Sequence, residues 1–306
     1  MHEIELTKLR SNVGRDFLAA VGLLELLEAK QSESLPRLQW SAEGTPTVLL
    51  TGDSSPDIGV SIAEIVSDLK SWKDSEDPFF AYADVIKTSA TNFRKHVIEA
   101  LNTTTFPSTV LGQLYPAFAS QIPEDGEEDV TPSLLSLANG GSGKKLLRDV
   151  AQLIAQLDPQ TALDELTGKG ESKATKSLRW HPDEYRPAAL RAFDPGGAVP
   201  GDSIRSLPIL NVLAFFGLCA HPVADAQPKP KTTGFVTKGR DGFFRWPIWN
   251  YPLSCSATRA IIQHPAIFAP EPDNSVVSRL GVTSVWQSER FSKDKSLYFS
   301  PATPVL

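Results

Sequence analysis

The sequence predicts an α+β fold, with helices and antiparallel strands mixed in two lobes packed together. Three observations point there. Helical and strand-like stretches follow one another without regular alternation and without a repeat of fixed period, which disfavours a doubly wound sheet. One run near the start, Phe17–Leu27 (FLAAVGLLELL), is apolar on nearly all sides, and such a helix belongs inside a core. The charge is also split. Residues 1–139 carry 10 Lys+Arg and 21 Asp+Glu, a net of −11, whereas residues 140–306 carry 20 and 15, a net of +5. The expected lobes are an acidic one over residues 1–135 and a basic, hairpin-rich one over residues 136–306.

The elements follow in order. Glu3–Leu9 alternates and suits a strand. Asn12 or Asp16 is placed to cap the helix that follows, Arg15–Lys30, and Gly22 inside it marks a close approach to a strand. Leu35–Trp40 and Thr47–Thr51 read as strands joined by the turn Ala42-Glu43-Gly44. Ile58–Trp72 has helical apolar spacing at Ile58, Ile62, Ile65, Val66 and Leu69. Lys73–Phe79 reads as a polar loop, and Ala90–Asn102 as a short helix with a stripe of Phe93, Val97 and Leu101. Val110–Ala119 has no clear period. Glu124–Asp129 is an acidic loop between the lobes.

In the second lobe, Ser136–Asp149 (SLANGGSGKKLLRD) is a glycine-rich turn running into a helix from Lys144 to Leu157. Backbone N–H groups there, with Lys144, Lys145 and Arg148, form a candidate anion seat. It is not a nucleotide-hydrolysing loop, because Ala138 and Lys145 stand where that motif needs Gly and Ser or Thr. Gly168–Ser177 is expected to be a mobile basic loop. It leads to Leu178–Gly197 (LRWHPDEYRPAALRAFDPGG), where Arg179, Arg186 and Arg191 lie among aromatics and acids, with a short helix from Pro187 to Phe193. Pro208–Cys219 is a second buried helix. Phe235–Thr237 and Phe243–Trp246 form a hairpin whose tip carries Lys238 and Arg240. With Lys229, Lys231 and Arg245, that window holds five basic residues against one acid, while Trp246 and Trp249 belong to the core. Gly281–Val305 reads as two strands around a Lys-rich turn.

No apolar run reaches the roughly 18 residues a membrane span requires. The N-terminal stretch has no apolar signal region. Cys219 and Cys255 are too few for a disulfide framework, and five scattered histidines add no zinc pattern. A cytoplasmic protein without cofactor or metal is expected.

Several motifs in combination resemble a known family: the buried helix Phe17–Leu27; the glycine turn Ala138–Gly143; R-W-x-P-x-E-x-R at Arg179–Arg186 with its tail Ala189–Pro195; an Asn-led helix at Asn211–Ala214; T-T-G-F at Thr232–Phe235; W-P-I-W at Trp246–Trp249; and a terminal G-V…R…F-S-P-A. The chain is similar to proteins of roughly 300 residues encoded with type I-G (formerly I-U) CRISPR systems. The resemblance implies a non-catalytic, large-subunit-like component of the Cascade complex, with CRISPR RNA, target double-stranded DNA, other Cascade subunits and the helicase-nuclease as partners. Such a subunit reads a short flanking motif in duplex DNA while the guide reads sequence. The nucleic-acid-binding candidates are Lys144, Lys145, Arg148, Arg179, Arg186, Arg191, Lys238 and Arg240. Two other readings stand beside this one: an adaptor bridging the complex to the helicase-nuclease, and a metal-dependent nuclease on Asp183, Glu184 and Asp194, which lack a pairing that makes them converge.

Overall fold

The computed structural model describes residues 2–30, 35–51, 57–81, 88–120, 122, 128–135, 143–182, 205–224, 230–238, 241–293 and 296–306. In chain order these give β1 (His2–Glu5), α1 (Gly14–Lys30), β2 (Leu35–Trp40), β3 (Pro46–Thr51), α2 (Ile58–Asp74), α3 (Pro78–Ala81), α4 (Ala90–Thr103) and α5 (Ser108–Phe118). The short strands β4 (Ala119–Ser120) and β5 (Thr131–Pro132) pair with each other, and α6 (Gly143–Ala155) and α7 (Ala162–Leu166) follow. Next come the paired strands β6 (Lys173–Ala174) and β7 (Arg205–Ser206), α8 (Pro208–Gly217), and the paired strands β8 (Val223–Ala224) and β9 (Lys231–Thr232). The chain closes with β10 (Phe235–Lys238), β11 (Asp241–Trp249), β12 (Leu253–Ser254), α9 (Cys255–Ile262), α10 (Asn274–Arg279), β13 (Val282–Lys293), β14 (Ser296–Phe299) and β15 (Thr303–Pro304). The fold is α+β, with antiparallel sheets.

A four-stranded sheet runs β1-β3-β2-β12, so a strand from residues 253–254 completes a sheet begun at the N-terminus. A second sheet runs β10-β11-β13-β14, with β15 pairing the other half of β13. The β2–β3 turn closes at Gly44, whose φ of +82° is cheap only for glycine. The expected β10–β11 hairpin forms, with Phe235 opposite Phe244, and its pairing runs further toward the tip than the sequence suggested, to Lys238 opposite Asp241.

Both all-apolar runs are buried helices. Residues 14–27 of α1 and every residue of α8 are buried. Among the described residues the two helices lie against each other more extensively than any other helix pair. They meet at Gly22 and Gly217: a Cβ on Gly22 would overlap the Leu213 carbonyl, and one on Gly217 the Leu18 carbonyl. The close approach expected at Gly22 is therefore to a helix and not to a strand. Around Phe17 the rings of Trp40, Trp246, Trp249, Phe244 and His221 sit with centroids 6.1–6.4 Å away. This ties α1 to both sheets. The indoles of Trp246 and Trp249 donate to the Ser11 and Leu38 carbonyls, each at 2.8 Å. Both tryptophans are core residues, as expected.

Several local expectations are corrected. Asp16 does not cap α1. Its carboxylate accepts from the Arg10 N–H at 3.2 Å and from the Arg15 guanidinium, and β1 stops at Glu5. Lys73–Phe79 is no polar loop. Asp77 is buried, accepting from the Phe79 N–H (2.9 Å), the Thr104 hydroxyl (2.7 Å) and the Thr105 N–H (3.3 Å), which fixes Phe79 in the core. Val110–Ala119 lies mostly in α5, whose buried Val110, Leu111, Leu114 and Tyr115 have helical spacing. Gly168–Ser177 is tied down by the β6–β7 pair and by the Lys173–Glu165 ion pair at 3.0 Å. The acidic loop is described only from Glu128, and Ser136–Ser142 and the expected helix Pro187–Phe193 lie outside the described residues.

Candidate nucleic-acid interface

The short stretch Leu178–Pro182 sits where the resemblance motifs meet. Leu178 and Trp180 are both buried, and Arg179 between them is part-exposed. Arg179 adopts φ +66°, a left-handed conformation uncommon for a residue with a Cβ. Its N–H donates to the Ser177 hydroxyl at 2.9 Å. Its guanidinium carbon lies 5.4 Å from the centre of the Tyr298 ring on β14, within cation–π range. Tyr298 stacks in turn on Phe291 of β13, with centroids 5.9 Å apart.

Trp180 anchors this stretch. Its indole donates to the Leu135 carbonyl at 2.8 Å, at the entrance to the glycine-rich turn. One residue earlier, the Leu134 N–H donates to the Thr232 hydroxyl at 2.9 Å, which brings in T-T-G-F. Gly234 turns the chain at φ +87°, and its carbonyl accepts from the Arg245 N–H at 2.8 Å. Beside it His221 faces the Thr233 carbonyl at 3.2 Å. A carbonyl only accepts, so Nδ1 carries the proton, and Nε2 is buried without a hydrogen-bond partner among the described residues. Burial accordingly pushes the His221 pKa down to about 4.

A buried polar cluster lies near enough to His181 for its arginines to act on the imidazole electrostatically. Arg15 donates to Asp16 Oδ1 from Nε (2.9 Å) and Nη2 (2.8 Å), and from Nη1 to the Ser206 hydroxyl (3.1 Å). Asn211 of α8 donates to the same hydroxyl at 3.4 Å, and its Oδ1 is buried without a hydrogen-bond partner among the described residues. Burial raises the Asp16 carboxyl above its ordinary range against the opposing pull of Arg15. His181 is pushed down to about 3 by burial and by the positive charges of Arg15 and Arg10. It is neutral at physiological pH.

Of the eight predicted residues, Arg148 and Arg179 have described side chains. Arg148 is exposed on α6, between the buried Leu147 and Asp149. Lys144 and Lys145 fall in the first turn of α6, and Lys238 at the end of β10, with side chains outside the described residues. Arg186, Arg191 and Arg240 lie outside the described residues, as do Asp183, Glu184 and Asp194. Arg245, counted with the basic hairpin, is buried instead. It donates to the Ile267 and Ala269 carbonyls at 3.0 and 2.7 Å and to Gln287 at 3.0 Å, because short helices cover that face of β11.

Arg10, Arg15, Ser206 and Asn211 were not singled out as site residues. The available signal was an Arg-Asp pair at the mouth of an all-apolar helix and a lone Asn inside PILNVLAFF, since buried polar groups must find partners. Among the described residues no group of three or more His, Cys, Asp or Glu side chains is placed to hold a metal ion. Cys219 and Cys255 are buried free thiols, both raised above the usual thiol range by burial. No described helix is long and apolar enough to cross a membrane. No protein-family model matches the chain, and no curated protein matches it.

Proposed function

We propose that the chain is a non-catalytic subunit of a type I CRISPR RNA-guided surveillance complex that touches target duplex DNA near the flanking motif. The observation that carries this reading is the convergence just described. The motifs concerned are far apart in sequence, yet Trp180 of the R-W pair bonds the entrance to the glycine turn, the neighbouring residue there bonds T-T-G-F, and the Asn-led helix shares the Ser206 hydroxyl with Arg15, whose charge acts on His181. These are the motifs on which the resemblance to type I-G proteins rests. Arg179 is held against an aromatic stack by a costly backbone conformation, and such strain concentrates where a side chain has work to do. Lys144, Lys145 and Arg148, in a half of net charge +5, would supply contacts to phosphate. Arginine on an aromatic face suits backbone or groove contact better than lysine.

In this role the protein binds and orients, and the chemistry belongs to the recruited helicase-nuclease. The test is co-purification with guide RNA and the other complex subunits, then gel shift on duplexes that differ only in the flanking sequence. Retention in the complex with flank-dependent binding supports the reading. A chain that neither co-purifies nor alters duplex binding sinks it. The adaptor reading is favoured by one observation, the net charge of −11 over residues 1–139. It predicts capture of the helicase-nuclease in the absence of nucleic acid.

A further inference from the structure

Folding sets Arg179 beside two rings that are more than a hundred residues away in sequence. β13 and β14 are antiparallel, and their register places Phe291 directly opposite Tyr298. Side chains directly opposite each other share one face of a sheet. The two rings stack accordingly, with centroids 5.9 Å and planes 29° apart. Phe291, Tyr298 and Arg179 are each half-buried. The contact is fixed from both of its sides. Strand pairing and the Phe291 ring hold Tyr298. The left-handed turn at Arg179, with its N–H on the Ser177 hydroxyl at 2.9 Å, holds the arginine backbone between the buried Leu178 and Trp180.

The guanidinium carbon then lies over the Tyr298 ring, 5.4 Å from its centre. An arginine side chain has many rotamers, and ordering it on binding costs entropy. A ring beneath the guanidinium selects one arrangement beforehand, through cation–π attraction and stacking. Stacking engages the flat face of a guanidinium, whereas its fork of N–H donors lies in the plane and matches two oxygens of a phosphate. A side chain laid on a sheet also stays near the protein surface. Base edges lie at the floor of a groove about 8.5 Å deep, so backbone phosphates are the first groups of a duplex that such a side chain meets.

We propose that Tyr298 is the positioning residue for Arg179 and that the two form a phosphate clamp, in which the ring holds the guanidinium and its fork takes one phosphate of the duplex backbone by two hydrogen bonds. This rests on the nucleic-acid reading of the site and sharpens it. Arg179 contributes affinity and salt sensitivity, and it does not read the flanking motif, because phosphate carries no sequence.

The test uses the full chain and two duplexes that differ only in the flanking sequence, with binding measured between about 50 and 200 mM salt. The variants are Arg179→Gln, the ringless Tyr298→Leu and Tyr298→Thr, the ring-keeping Tyr298→Phe, and Arg179→Gln combined with each ringless change. Melting temperatures establish which are folded, and the second ringless variant stands in should the first not fold. Arg179→Gln is expected to weaken binding of both duplexes by about tenfold and to flatten the log–log salt slope by about 0.9. A ringless variant should lose at least about threefold, and Tyr298→Phe should recover most of that loss. The double variant should bind no more weakly than Arg179→Gln alone. The ratio of the two affinities should keep its wild-type value throughout. Four results would overturn the proposal: full binding in the ringless variants; a loss that Tyr298→Phe does not recover; losses that add in the double variant; or a ratio that changes with Arg179→Gln, which makes the arginine a base reader. A wild-type chain that binds neither duplex, or Arg179→Gln that binds both as tightly as wild type, removes the nucleic-acid reading of the site and the clamp with it. The arginine variant alone therefore tells the two kinds of failure apart.

Discussion

At the scale of single residues, Arg179 separates fold from function. Its left-handed backbone costs about 1–3 kcal/mol, and its contact with Tyr298 returns about 0.5–1 kcal/mol. Arg179→Gly relieves the first and removes the second, so stability should fall by no more than about 1 kcal/mol, if at all, while duplex binding weakens. Denaturant titration and gel shift on one preparation check both. A large loss of stability with unchanged binding would make Arg179 structural. The buried histidines give a pH prediction. His96 and His221 are both held near 4 by burial, well below the unfolded value of about 6.5. The native state therefore binds fewer protons than the unfolded chain, and stability falls as pH drops from 6.5 toward 4. Linkage gives about 2 kcal/mol by pH 5 for the fully buried His221, and less for His96, which solvent partly screens. A melting temperature that is the same at pH 7.5 and pH 5 would contradict their neutral burial.

At the scale of elements, the α1–α8 contact is the tightest constraint in the fold. Either helix glycine replaced by alanine drives a methyl group into the facing backbone carbonyl, which cannot rotate away. Gly217→Ala should cost about 3 kcal/mol or more, at the upper end of overpacking penalties and far beyond any gain in helix propensity. Thermal unfolding measures it, and a neutral or stabilising outcome would mean that the helices do not cross there. Both of these helices were legible because an apolar face all round has only one resting place. The β2–β3 and β10–β11 hairpins were legible from their Gly-containing turns. The Lys73–Phe79 stretch was not, because its order comes from Asp77 collecting donors from residues 104 and 105, a long-range arrangement with no local pattern. The burial of Arg245 was hidden for the same reason: its acceptors are backbone carbonyls of a segment more than twenty residues away.

At the scale of the whole molecule, one core runs from Leu6 to Phe299, and strands and rings from the C-terminal residues complete the N-terminal sheet. That arrangement brings Arg10 and Arg15 of the acidic half to His181 of the basic half, a juxtaposition that charge counting by halves could not foresee. The candidate site was partly legible. Arg179 and Trp180 stood out as an arginine–aromatic pair, whereas Ser206 and Asn211 joined it only through folding. The central claim is that positive charge at the start of α6 and around Arg179 meets duplex phosphate. The most direct measurement is the salt dependence of duplex binding by the assembled complex between about 50 and 200 mM salt, for wild type and for Lys144→Ala with Lys145→Ala. Loss of two phosphate contacts should weaken binding and flatten the log–log slope by about 1.8. A slope and affinity identical to wild type would contradict the account.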